Sequence, residues 1–279
     1  MNLDLLPDDC FAHILSFTSP IDACRISLVS SAVRISANSD NVWQKFLPSD
    51  YQDILSRLLH PLVYYSSKEL FFRLCNPHLI DGGNKTFSLE KSSGKKRYVL
   101  SARELNITWA ENPLFWTWKP FTESRFSEVA ELRTIWWLEI GGTINSRMLS
   151  PNIVYEAYLI VKFFDRAYGL DLLPSKVSVE VGHVKSEGTA WLRQYESKKQ
   201  WLETIWLSNQ IEAPRSRAFR RIEERVPGKR EDGWIEIKLG HFYNHGGAVE
   251  VKMCLKEVTG THLKGGLVVE GIELRPKQL

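Results

Sequence analysis

Val249-Glu250-Val251-Lys252-Met253-Cys254-Leu255-Lys256 decides the fold class. Val249, Val251, Met253 and Leu255 stand at every second position, with Glu250, Lys252 and Lys256 between them. Successive side chains of a strand point to opposite faces, so this segment reads as a strand with one buried and one wet face. The pattern recurs on both sides of it. Ile153, Tyr155, Ala157, Leu159, Val161 and Phe163 alternate with a second set; Val177, Val179 and Val181 enclose Ser178 and Glu180; Ile235, Ile237 and Leu239 enclose Glu236 and Lys238; Ile272 and Leu274 flank Glu273. Such strands, separated by Gly, Pro and Asn turns, predict an all-β antiparallel sandwich from about residue 97 onward. Residues 185–232 break the pattern and read as a charged, partly helical excursion.

The N-terminal part has a different period. Leu6-Pro7-Asp8-Asp9 offers proline at a first helical position and acids in the first turn, followed by Phe11, Ile14 and Leu15 at helical spacing. Ser19-Pro20-Ile21-Asp22 is a second helix start, and Val33 with Ile35 suggests a third helix. Asp40 is placed to cap a short helix carrying Trp43 and Phe46, and Ser66-Ser67-Lys68-Glu69 opens another with Leu70, Phe71 and Leu74. Pro77 and Gly82-Gly83 punctuate its end, which puts a linker at about 76–84. The fold class is therefore α+β and multidomain: a small all-α unit over 1–50, a helical extension and linker over 51–84, and a β-sandwich over 85–279.

Composition narrows the chemistry. Hydrophobic residues make up 43% and charged residues 25% of 279, the balance of a globular protein. A net charge of +3 is small for a nucleic-acid binder. Cys10, Cys24, Cys75 and Cys254 show no Cys-x-x-Cys spacing, so no zinc site or redox pair is expected, and the usage suits a reducing compartment. No signal peptide or membrane span is visible, and the sequons at Asn84 and Asn106 read as chance matches. No hydrolase, metalloprotease or phosphate-loop motif occurs; no catalytic residue, metal or cofactor is expected. His241 and His245 lie beside a strand and a glycine turn, a poor arrangement for a metal. Arg215, Arg217, Arg220, Arg221, Lys229 and Arg230 form a basic run that could target the nucleus, but Glu223, Glu224 and Glu231 largely cancel it.

The order Leu6-Pro7-Asp8-Asp9, Ile14-Leu15, Ser19-Pro20, Ser27-Leu28-Val29-Ser30 and Val42-Trp43 resembles an F-box over about 45 residues. The resemblance implies docking onto the Skp adaptor of a cullin-based ubiquitin ligase. It makes Leu6, Pro7, Ile14, Leu15, Pro20 and Val29 contact candidates. Physics agrees that a partner is needed, because three short helices cannot bury all these apolar groups against one another; packing on the C-terminal domain is the alternative.

From residue 98 the chain is similar to plant phloem protein 2 and the tobacco-agglutinin-like lectins. The similarity is carried by Leu100-Ser101-Ala102-Arg103-Glu104-Leu105, Ile107-Thr108-Trp109, Phe115-Trp116-Thr117-Trp118, Trp137-Leu138-Glu139-Ile140-Gly141-Gly142, Asp232-Gly233-Trp234-Ile235 and Gly271-Ile272-Glu273-Leu274-Arg275-Pro276-Lys277. It spans about 180 positions. It implies a jelly-roll-like lectin sandwich that binds N-acetylglucosamine oligomers or N-glycan cores without making bonds, an aromatic ring taking the apolar face of the sugar. Trp116, then Trp109, then Trp118 are the ring candidates, and Asn244 and Glu257 are candidates for the hydroxyls. Trp109 alternates with Ile107, which would equally make it core; Trp136, Trp137 and Trp234 are expected in the core. Ala248 departs from relatives that carry an acid in that turn. Together the two resemblances imply a client-selecting ligase subunit, cytoplasmic or nuclear, with a glycoprotein or oligosaccharide client; a protein or peptide client, or a phloem or stress lectin with a vestigial F-box, are the alternatives.

Overall fold

The structure is a computed structural model that describes residues 8–193 and 224–277. Leu6, Pro7 and the basic positions Arg215, Arg217, Arg220 and Arg221 lie outside the described residues.

Six short helices come first: α1 (Asp8–Leu15), α2 (Pro20–Ile26), α3 (Ser31–Ala37), α4 (Asp40–Phe46), α5 (Tyr51–Ser56) and α6 (Ser67–Leu74). Their caps follow the sequence. Ser19, Ser30 and Ser66 Oγ accept the N–H groups of Asp22, Val33 and Glu69, each satisfying one otherwise unpaired donor. Asp40 opens α4 after Ser39 but does not cap it; its Oδ1 accepts the N–H of Ser67 at 2.7 Å, tying α4 to the start of α6. Trp43 fills the centre of this unit, donating from Nε1 to the Ala37 carbonyl at 2.8 Å and packing on Phe46, Phe71 and Phe72.

The strands follow as β1 (His78–Ile80), β2 (Lys85–Leu89), β3 (Lys96–Ser101), β4 (Asn106–Ile107), β5 (Trp116–Lys119), β6 (Val129–Leu132), β7 (Leu138–Asn145), β8 (Ile153–Tyr168), β9 (Ser175–Val181), β10 (Val184–Ala190), β11 (Glu224–Arg225), β12 (Gly228–Lys229), β13 (Ile235–Asn244), β14 (Glu250–Glu257) and β15 (Gly265–Pro276). One sheet runs β1-β2-β3-β15-β8-β13-β12, with β6 also on β15 and β5 on β6; the other runs β11-β10-β9-β14-β7-β4. Among the described residues every strand pairing is antiparallel except β10 with β11. The sheets press closely where side chains are missing: a Cβ on Gly240 of β13 would meet Val179 of β9 at 2.8 Å, and one on Gly142 of β7 would meet Ile272 of β15 at 3.0 Å.

β14 alternates in burial as its sequence requires. β8 and β15 do not: their central residues are buried on both faces. On the outer face Tyr158, Ile160, Val268 and Val129 form a second small core with Trp234. The Trp234 indole donates to the Glu123 carbonyl at 3.1 Å, pinning the segment before β6 over the sheet. The expected excursion at 185–232 begins instead as strand β10, paired with β9 along its full length.

The segment expected as a linker is built into the fold. β1 pairs with β2, and Ile80 bridges back to Leu58. Arg57 holds Asp81 through two bonds of 2.8 and 2.9 Å, lowering the Asp81 carboxyl below its ordinary range, while Asp50 holds the buried Lys96 of β3 at 2.7 Å. One apolar core runs from Phe11 and Trp43 through Phe71 and Phe87 into the sandwich.

Candidate functional site

Among the described residues, two groups of exposed apolar side chains bear on function. The first lies on the N-terminal helices. Ile14, Phe17, Ile21, Leu28, Val29 and Ile35 are all exposed, Leu28 and Val29 by 76% and 67%. Of the adaptor-contact candidates, Ile14 and Val29 are on this surface. Leu15 and Pro20 are not: Leu15 joins the core with Phe11 and Val33, and Pro20 is buried at the start of α2, near Gly94. The sequence pattern did not separate them because on a short helix adjacent apolar residues fall on opposite sides of the face boundary. Phe17 and Leu28, which the motif reading passed over, belong to the exposed set.

The second surface is aromatic. Trp109, Trp136 and Trp137 are 42%, 45% and 41% exposed. The Trp109 ring lies 5.0 Å from Phe115 and 5.4 Å from Trp136, and Phe115 lies 5.9 Å from Trp136. Beside Trp109 is an open depression of about 750 Å³ lined by Leu105, Asn106, Glu111, Asn112 and Pro113. Trp137 donates to Glu139 Oε2 at 3.1 Å, and Lys256 takes the other oxygen at 2.6 Å; Lys256 chiefly holds the Glu139 carboxyl below its usual range. Exposed ring faces beside amide and carboxylate groups can hold a ligand that has an apolar face and polar edges.

Trp109 adopts φ +58°, a conformation that costs a bulky side chain free energy and needs support from its surroundings. That support comes from the two neighbouring candidates. Trp116 Nε1 donates to the Thr108 carbonyl at 3.0 Å and Trp118 Nε1 to the Ala110 carbonyl at 3.1 Å, one on each side of Trp109. The expectation that Trp116 leads the ring set is corrected: its side chain is buried, because it faces the core from β5. Trp118 is half-buried beneath Arg103, whose guanidinium sits 3.7 Å from the ring centre and is anchored on Glu128.

Asn244 and Glu257 are likewise buried rather than presented to a ligand. Asn244 Nδ2 donates to the carbonyls of Ser146 and Ser150 while its Oδ1 accepts the Gly246 N–H, so its hydrogen-bonding capacity is spent on the surrounding turns. Glu257 accepts the Gly260 N–H at 2.9 Å and forms an ion pair with the buried Lys264.

Trp136 and Trp137, expected in the core, are corrected to surface residues. They sit in a bend between Ile135 and β7 that turns both outward.

A family model of the F-box domain matches residues 3–45, and one of phloem protein 2 matches residues 95–276. The chain belongs to the F-box phloem protein 2 family. It is 45% identical to F-box protein PP2-B15 of Arabidopsis thaliana, over 99% of this chain and 97% of that one. It is 44% identical to F-box protein VBF of the same plant, over 98% and 99% of the two chains, and 43% identical to F-box protein PP2-B13, over 98% of each. Its architecture is that of an SCF-type F-box adaptor joined to a phloem-protein-2 lectin-like domain, and the F-box is the part that binds the Skp adaptor. F-box proteins are in general non-catalytic substrate adaptors. Among the described residues no helix is long and apolar enough to cross a membrane.

Proposed function

We propose that this F-box protein presents glycosylated clients to its ligase by holding their N-acetylglucosamine units on the Trp109–Phe115–Trp136 platform, in the cytoplasm or nucleus. The observation that carries this reading is the cluster of exposed aromatic rings beside a polar-rimmed depression. A pyranose ring offers C–H groups to an indole face, while Glu111, Asn112 and Asn106 at the rim are positioned for its hydroxyls. The protein makes and breaks no bonds in this role. The docking half of the function rests on the exposed Ile14, Phe17, Leu28 and Val29, with Leu6 and Pro7 added as candidates on the motif alone.

The test is a glycan array with the full-length chain beside Trp109→Ala and Trp136→Ala. Selective binding of N-acetylglucosamine oligomers or N-glycan cores is expected, weakened about 30-fold or more by either variant, as for a pocketed aromatic anchor worth about 2 kcal/mol. One feature favours a second reading. Leu114, in the same loop, is exposed and extends the apolar surface beyond what a sugar face requires. Array silence from the folded chain, with a protein client whose capture depends on Trp109 and Trp136, would replace the sugar by a peptide surface.

A further inference from the structure

Lys264 is 1% exposed, a rare place for an ammonium group. It stands just before β15. Its main chain forms a two-way bridge with Ile135, N–H to carbonyl at 2.9 and 2.7 Å, fastening the segment that carries Trp136. Its Nζ then passes beneath that segment and donates to the Trp136 carbonyl at 2.7 Å, with the His262 carbonyl at 3.4 Å. Glu257, 3% exposed, supplies the charge partner, and its other oxygen holds the turn through the Gly260 N–H.

A buried ion pair is weak evidence for stability, since desolvation of both charges offsets their attraction. What this pair provides is a strong, charge-assisted donor at one carbonyl. That carbonyl belongs to an exposed tryptophan in a bend, where no ladder hydrogen bond would otherwise fix the backbone. The other half of the platform is held by the same kind of device: the Thr108 and Ala110 carbonyls, flanking Trp109, each receive a donor from an indole N–H. A ring contributes to affinity in proportion to how little freedom it must lose on binding.

We infer that Lys264, the ion-pair partner of Glu257, is a positioning residue that sets Trp136 against Trp109 and so preorganises the aromatic platform. This rests on reading the platform as the ligand site, but its primary readout needs no ligand. Trp109 and Trp136, 5.4 Å apart and inclined at 53°, should give an exciton couplet in the far-ultraviolet circular dichroism. Trp136→Phe in the full-length chain assigns the couplet.

Three full-length variants then separate positioning from burial of charge. Glu257→Gln leaves the Lys264 donor on the Trp136 carbonyl; it should melt earlier yet keep the couplet and its affinity for tri-N-acetylchitotriose. Lys264→Met should lose the couplet and bind the trisaccharide about tenfold more weakly, the scale of one lost charge-assisted hydrogen bond. Glu257→Gln with Lys264→Met removes the unpaired buried carboxylate, so it should fold cooperatively and still lack the couplet. A cooperatively melting double variant with the wild-type couplet would overturn the inference. Loss of the couplet in a family of chains that bind no sugar at all would uphold it and overturn only the sugar reading.

Discussion

Glu273→Gln is the sharpest single test of how the outer face of the larger sheet is held. Glu273 is completely buried, and so is Glu270 on the same strand. A bulge between Val269 and Gly271 adds the extra residue that lets both carboxylates face outward; a Cβ on Gly271 would run into the Leu100 carbonyl. Glu273 receives Arg97, Arg230 at 2.8 Å, Arg275 at 3.6 Å and Arg125 at 3.9 Å. Burial by itself pushes the carboxyl up, but the four guanidiniums outweigh it and leave it below the usual glutamate range. Glutamine keeps the shape and removes the central charge, while Arg125 keeps Glu270, Arg230 keeps Asp232 and Glu236, and Arg275 keeps Glu236. Breaking a buried pair costs about 3–5 kcal/mol. The arginine side chains retain 14% to 37% of their exposure, so water screens part of the repulsion and the lower end, about 3 kcal/mol, is expected. At this chain length that corresponds to a drop in Tm of roughly 6–12 °C by scanning calorimetry. A pH series adds a second signature. A depressed carboxyl stabilises the fold above the unfolded glutamate pKa of about 4.3, and that contribution is lost as pH falls through the lower folded value. Wild type should therefore lose more stability than the variant below about pH 4.5. A Tm shift under about 2 °C, or parallel acid slopes, would refute this account of the network.

Three further outcomes are expected. Leu28→Asp with Val29→Asp should abolish co-purification with the Skp adaptor while moving stability by no more than about 0.5 kcal/mol per site, whereas Leu15→Asp should unfold the helical unit, since it buries an unpaired charge. Gly94→Ala should lower the melting temperature of the whole chain as one transition: it places a side chain at φ +69° and a Cβ 2.9 Å from the Phe46 carbonyl, a cost of about 1–2 kcal/mol from backbone conformation alone. Two separate calorimetric transitions would show instead that helices and sandwich fold independently. Trp234→Ala should cost about 3–5 kcal/mol and release the segment around Glu123, read as faster amide exchange there than in β13.

The sequence by itself determined the two structural periods. Period two at 249–256 placed β14 and its neighbours, and the serine starts at Ser19 and Ser66 placed two helices, because alternation and capping are local rules. The family motifs were likewise local and legible. What the sequence left open was burial. Trp116 and Trp118 share a strand with the same composition as an exposed platform, yet only the packing of β5 turns Trp116 inward, and only Arg103 covers Trp118. Trp136 and Trp137 look like core by hydrophobicity and become surface because a bend, not a strand, carries them. Asn244, Glu257 and Lys264 look like surface by polarity and become interior because backbone groups satisfy their hydrogen bonds, from distant segments for Asn244 and Lys264 and from the neighbouring turn for Glu257. For Asn244 and Lys264 the side of the surface is set by partners more than 90 positions away, and that information exists only once the chain has closed on itself.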